Sequence, residues 1–261
     1  MRDLGLDQAI RAAGGVGALA RKIGISQPSV SNWSRVPADR VVSVEGVTGI
    51  DRAVLRPDLY GVRGAGDVDE LDTARAQEYA LLSVLLRRAA DGGFLARLAA
   101  LRGDGSALGI AHAALAEAAA ATNVQRVERE FFDLFVGIGR GELLPYGSYY
   151  LTGFLNERPL ARLRDDLARL GIERVDGEVE PEDHAAVLCE IMACLVSGRF
   201  ETPAGADRKL FEKHLAPWIS RFFADLEQAE AADFYRRIGT VGRVFIEIER
   251  EAFALAPWPK E

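Results

Sequence analysis

The chain has 261 residues, 49% of them hydrophobic and 27% charged, with a formal net charge of −7. Half-apolar composition over this length supports one large core, or a small and a medium one. Two cysteines, Cys189 and Cys194, stand five positions apart and so on different faces of a helix, which makes them poor disulfide or metal partners and suits a reducing cytoplasm.

The N-terminus carries Asp3 and Asp7 and no long apolar core, so no secretory leader is expected. No apolar run approaches the ~20 residues of a membrane-spanning helix. The charge is uneven: residues 1–60 hold eight Lys/Arg and six Asp/Glu, a net +2, which leaves −9 for the remainder. A slightly basic unit ahead of an acidic one points to two parts with different partners.

Residues 6–13 place apolar groups at helical spacing, and Gly14-Gly15 ends that helix. Val16–Ile23 forms a second helix with Val16, Leu19, Ala20 and Ile23 inward. Gly24-Ile25 makes a turn, Ser26 caps a third helix running to Trp33, and Pro28 is tolerated in its first turn. A small residue at 20 lets two helices cross closely, Gly24 makes the tight turn, and Val30 anchors the second helix on the first. This is helix-turn-helix spacing. Pro37 opens a fourth helix with Val41, Val44 and Val47 at three-residue steps.

The stretch LDQAIRAAGGVGALARKIGISQPSVSNW, followed by VPADRVVSVEGVTGIDRAVLRPDLY, resembles Cro-like repressors of the YdaS group over residues 4–60. The resemblance implies a third helix in the major groove. It would offer Gln27, Ser29, Ser31 and Asn32 to bases or phosphates, with Arg21, Lys22, Arg35 and Arg40 on the backbone. The alternative is a helix-turn-helix kept for protein contacts, since a net +2 is small for a DNA binder. Residues 61–72, with three glycines and four acidic groups, read as a flexible linker ending at an Asp72 or Thr73 cap.

From residue 73 to 261 helical periodicity dominates and no alternating strand pattern occurs, so the fold class is all-α, with about ten helices expected in this part. Ala111–Ala121 is alanine-rich scaffold. Val124–Phe135 delivers a loop with Gly137, Gly139 and Gly141 that closes on Leu143–Ser148. The loop is either a buried connector or a built surface. Leu151–Leu155 and Pro159–Leu170 read as the next helices, Pro181 as a helix start and His184–Val196 as a further helix. One helix is expected to end near Leu215 and another to restart at Pro217.

Catalytic chemistry finds little support. No phosphate loop, nucleophile elbow, metal cluster or cofactor motif occurs, and His214 lies on an apolar stripe as a core histidine would. Adjacent Asp183 and His184 cannot face each other, but both can point into a groove mouth; helix capping is the other reading for Asp183.

Three stretches in order then resemble the TorD/DmsD group of redox-enzyme maturation chaperones over residues 73–255. They are Glu130 through Leu134-Phe135-Val136-Gly137 to Leu144-Pro145-Tyr146-Gly147-Ser148-x-Tyr150; Glu180-Pro181-Glu182-Asp183-His184 with Glu190-x-Met192-Ala193-x-Leu195; and Phe211-x-x-His214-Leu215-x-Pro217-Trp218 with Phe222-Phe223. Leu144 stands where the family often has a first proline, and Ile138 where it has proline after glycine.

The resemblance implies a cytoplasmic chaperone, not an enzyme and without cofactor or metal. It would bind the twin-arginine signal peptide of a molybdopterin oxidoreductase, formate dehydrogenase being one such client, and hold the apo-enzyme until its cofactor is inserted. Leu144, Pro145, Tyr146, Ser148, Pro181, Asp183 and His184 would contact the peptide. An acidic rim of Glu180, Glu182 and Asp183 beside apolar Leu144, Pro145 and Tyr146 suits an arginine motif followed by an apolar segment. With a helix-turn-helix head, which usually works as a dimer, the alternative is a transcriptional regulator that senses the unexported enzyme.

Overall fold

The structure is a computed structural model that describes residues 3–50, 52–56, 70–174 and 179–255. The chain divides into two compact units, Met1–Gly64 and Ala65–Glu261. No strand occurs among the described residues, as the periodicity predicts.

The first unit is built from α1 (Leu4–Ala13), α2 (Val16–Lys22), α3 (Gln27–Ser31), a 3-10 turn at Ala38–Arg40, α4 (Val41–Thr48) and α5 (Arg52–Leu55). Asp3 caps α1 by accepting from the Leu6 N–H at 2.9 Å. Gly24, at φ +72°, makes the turn between α2 and α3 in the left-handed region that glycine enters without strain. Ser26 caps α3, and Asn32 ends it earlier than the expected Trp33. The core is Leu6, Ala9, Leu19, Ala20, Val30, Val41 and Val44, the positions that the helical spacing turns inward, closed by Val36 and Leu55. The end of the YdaS-like stretch, 57–60, lies outside the described residues.

The second unit holds ten described helices: α6 (Glu70–Arg87), α7 (Gly92–Ala99), α8 (Ala107–Ala121), α9 (Val124–Phe131), α10 (Gly147–Thr152), α11 (Arg158–Arg169), α12 (Ala185–Val196), α13 (Ala206–Leu210), α14 (Ile219–Gln228) and α15 (Phe234–Leu255). The expected linker lies outside the described residues up to 69. Helix α6 starts at Glu70, so Asp72 and Thr73 sit inside its first turn instead of capping it.

Helix α6 packs along α12, α14 along α15, and α15 against the alanine-rich α8. Small side chains on α8 let it approach closely. The long helix α15 is tied to α6 by Arg75, which forks onto Glu249 at 2.7 and 2.8 Å, while the Tyr79 hydroxyl donates to Glu249 at 3.0 Å. These charges are buried but mutually satisfied, which is the condition for tolerating them. Burial pushes the Cys189 thiol up to about 12 and leaves it unreactive.

Two π-helical turns, Phe132–Val136 and Phe211–Leu215, carry the aromatic residues that lead into the two ends of the candidate site. Pro217 follows the second turn, and α14 restarts at Ile219, close to the expected break. Two expectations change. Leu151–Leu155 is the end of α10 and a bend through Gly153, because α10 already starts at Gly147. Pro181 does not start a helix; α12 begins four residues later, at Ala185.

Candidate functional site

The site grows from two loops that the fold lays side by side. The first enters from α9 and ends at α10; the second precedes α12. Tyr146 and His184 form an antiparallel bridge. The Gly147 N–H donates to the Asp183 carbonyl at 2.9 Å, and the Ala185 N–H to the Pro145 carbonyl at 2.8 Å. Asp183 completes the stitch: its Oδ2 accepts the Ser148 N–H at 2.7 Å at the start of α10. A carboxylate on an N-terminal helix N–H is favoured by charge and by the helix dipole. The Tyr146 ring meets the His184 ring edge-on at 5.0 Å, and its hydroxyl donates to Glu180 at 2.7 Å. Burial, then Glu180, pushes the Tyr146 phenol above its ordinary range, so it remains a donor.

Gly147 lets the loop pass close to Trp218: a Cβ there would lie 3.0 Å from the indole nitrogen, tighter than ordinary contact. That nitrogen donates to the His214 carbonyl at 2.8 Å, and Tyr150 and Phe222 pack around the indole. The three motif stretches therefore meet at one place.

All seven residues named from the sequence for peptide contact belong to this clasp, but not all face outward. Leu144, Tyr146 and Pro181 are half-buried, whereas Pro145, Ser148, Asp183 and His184 are buried. Pro145, expected to contact the peptide, is thus turned inward. His184, not Asp183, caps α12, with its Nδ1 accepting the Ala186 N–H at 3.0 Å. The acidic rim is also smaller than expected. Glu182 pairs with Arg164 at 2.8 Å and Asp183 is 3% exposed. Among the described residues, Glu180 of the three accepts from a neutral phenol, that of Tyr146, and has no ion pair.

The other end of the first loop is structural. Glu130 accepts the N–H groups of Asp233, Phe234 and Tyr235 at 2.7, 3.1 and 2.6 Å, and Glu142 accepts those of Glu230 and Ala231 at 2.7 and 3.0 Å. Burial raises the Glu130 carboxyl while those three N–H groups hold it down. Gly141 lies so close to the backbone of Leu134 and Phe135 that a Cβ would overlap it at 2.5 Å. The glycines close a tight loop.

Beside the clasp lie two cavities that share Lys213 and His214. One, about 520 Å³, is lined by Leu170, Ala206 and Leu210 with Asp166 at its edge. The other, about 320 Å³, is lined by Leu151, Arg158, Arg162, Leu163 and Asp183. His214 is buried and paired with Asp166 at 2.7 Å; burial lowers its pKa, with Asp166 opposing. Sequence reasoning missed Arg158 and Arg162, and it missed the exposed Leu151, Phe154 and Leu155 beside them. The Gly153-x-x-Asn156 break in LTGFLNERP was the available signal for a bend there.

In the first unit, Arg21, Lys22, Gln27, Ser29, Ser31, Asn32 and Arg35 are all exposed, and Arg40 is half-buried. The Ser29 hydroxyl is shared with Ser26 at 2.7 Å.

An all-α unit whose two motif loops are stitched into a clasp, behind a small helix-turn-helix unit, is the class of protein these observations define. Residues 102–224 match the family model described as nitrate reductase delta subunit, and residues 6–63 match the one described as bacterial toxin YdaS. The chaperone protein TorD of Vibrio cholerae is 28% identical over 46% of this chain and 59% of its own. That of Aliivibrio fischeri is 25% identical over 46% and 60%. The chain thus spans about three fifths of the length of these curated relatives. A solved structure of a candidate redox enzyme maturation protein from Archaeoglobus fulgidus is 21% identical, with a TM-score of 0.48 over 66% of this chain and 93% of that one. The second unit is thus similar over residues 102–224 to the nitrate reductase delta subunit family and to TorD chaperones, and the first unit is similar over residues 6–63 to the YdaS family. Among the described residues no helix is long and apolar enough to cross a membrane.

Proposed function

We propose that the protein is a cytoplasmic chaperone. It binds the twin-arginine signal peptide of a molybdopterin-containing oxidoreductase, formate dehydrogenase being one candidate, and holds the apo-enzyme for cofactor insertion. The observation that carries this reading is the clasp. Two separate loops are pinned together, which sets the Glu180 carboxylate on the Tyr146 hydroxyl, with half-buried Leu144 and Pro181 in the same two loops. Glu180 takes a guanidinium, and the apolar groups take the segment that follows it. Asp183, Ser148 and His184 act from beneath as positioning residues. The relatives' name, chaperone, supports the reading.

Calorimetric titration of the full chain with a twin-arginine peptide tests it. The double substitution Asp183→Ala with His184→Ala is expected to weaken binding about tenfold or more, since it removes buried charged and capping hydrogen bonds, with circular dichroism confirming the fold. Unchanged affinity would refute it.

The second reading, a regulator that reports the unexported enzyme, is favoured by the exposed row Gln27, Ser29, Ser31, Asn32 with Arg21, Lys22 and Arg35. In it a dimer of the head domain binds duplex DNA. Affinity is expected to fall linearly with the logarithm of salt, and to change when peptide is added, as linkage requires. DNA binding that is indifferent to peptide would leave a chaperone with an uncoupled head; no duplex binding at all would remove both statements about DNA.

A further inference from the structure

Phe253, near the end of α15, packs its ring 5.1 Å from that of Phe211. Phe211 opens the π-helical turn Phe211–Leu215 and stands between Leu210 and Glu212, which both line the larger cavity beside the clasp. The chain therefore leaves α15 next to the wall of that cavity. Helix α15 ends at the exposed Leu255, and residues 256–261, Ala-Pro-Trp-Pro-Lys-Glu, lie outside the described residues.

The cavity, at about 520 Å³, is large enough for a bulky side chain, and Leu170, Ala206 and Leu210 give it apolar walls. Arg169, Lys209 and Lys213 stand around them. Arg169 and Lys213 are held on Asp166, whereas Lys209 has no ion pair among the described residues. An apolar hollow ringed by cations repels an arginine motif and suits an aromatic ring, whose face attracts a cation, tryptophan most of all. A buried indole N–H also needs an acceptor. Glu212 lines the same cavity, and its carboxylate, which takes Arg208 at 2.8 Å, has acceptor capacity left.

We propose that the segment Pro257-Trp258-Pro259 of this chain seats Trp258 in the larger cavity, and that a bound signal peptide displaces it. Trp258 follows Leu255 by three residues, at most about 10 Å of extended chain, which suits a cavity walled by residues on either side of Phe211. Pro257 and Pro259 restrict the backbone around Trp258 to extended shapes before it docks, so little freedom is lost on seating. The displacement rests on the peptide reading given above. The two cavities share Lys213 and His214, and the smaller one reaches Gly147 and Asp183 of the clasp. An apolar peptide segment running on from the clasp competes for the same walls, and by linkage the seated tryptophan lowers the apparent affinity for that peptide.

The test is the fluorescence of Trp258 in the full chain, obtained by subtracting the spectrum of Trp258→Phe, since Trp33 and Trp218 are the other indoles. Blue-shifted emission is expected, quenched by acrylamide severalfold less than in Leu170→Asp, which places a charge in the half-buried wall. Lys209→Gln, at an exposed position that the fold does not depend on, is expected to fall between the two. The emission of a solvent-exposed indole in the native chain would overturn the seating. So would protection that both variants leave intact, or protection that grows with protein concentration, which would mean that a second copy's segment fills the cavity. A twin-arginine peptide is then added, and protection is expected to be lost as the peptide saturates. A peptide that saturates the protein by calorimetry and leaves Trp258 protected would overturn the displacement. A peptide that does not bind at all would remove the reading of the clasp and the displacement with it, while the seating stands or falls on the free chain alone.

Discussion

Glu130 and Asp183 are both buried carboxylates that accept backbone N–H groups at a helix start, and both anchor the same loop, one at each end. They differ in what remains. Glu130 spends both oxygens on the three N–H groups that open α15. Asp183 spends one oxygen on Ser148 and leaves the other buried without a partner. The first arrangement closes; the second keeps an unmet demand. A motif residue can thus be part of a scaffold or part of a site on identical local chemistry, and the count of satisfied lone pairs separates the two.

The contrast can be broken from either end. Glu130→Ala strands three N–H donors around α15 and is expected to cost about 3 kcal/mol or more in urea unfolding, the largest effect foreseen. Asp183→Ala strands the Ser148 N–H but relieves the bare oxygen, so about 1–2 kcal/mol is expected by the same measurement. If Asp183→Ala cost more than Glu130→Ala, the division into closed and open ends would fail. Tyr146→Phe removes one hydrogen bond to Glu180 and is expected to cost about 1 kcal/mol.

The smallest effect concerns the two paired histidines, whose shifts run in opposite directions. The hydrogen bond to Glu78 raises the His112 pKa against the penalty of burial. Its contribution is therefore fully present below the unfolded value of about 6.5 and is lost as pH rises through the folded value. Burial lowers the His214 pKa, so its contribution is present above about 6.5 and is lost as pH falls through the folded value. His112→Gln should flatten the fall in stability above about pH 6.5 and leave the fall below it, which belongs to His214, as read from unfolding midpoints between pH 5 and 8.

The helical class and most of the inward residues could be read from the sequence, because helical periodicity reports burial directly: Leu6, Leu19, Val30, Leu163, Leu188 and Phe222 all lie where their spacing puts them. The meeting of the three motif stretches was legible only through the family resemblance, since nothing local brings residue 146 to residue 184. Orientation was not legible. Pro145 and Asp183 look like surface groups in a polar, glycine-containing stretch, yet a backbone bridge between the loops turns them inward. His184 took the cap from Asp183 because Asp183 was already bound to Ser148 across the clasp. Arg158 and Arg162 passed unnoticed because a charged helix face reads as solvated, and the cavity they line forms only in the fold.

The measurement that bears most directly on the central claim is a double-mutant cycle between Glu180 and the twin arginines. Wild type and Glu180→Gln would each be titrated with a signal peptide carrying two arginines and with one carrying glutamines in their place. A coupling of about 1.5 kcal/mol or more, roughly tenfold in affinity, with circular dichroism unchanged, is the expected result for a charge-assisted bond at the clasp face. Additive losses, with no coupling between Glu180 and the arginines, would contradict it.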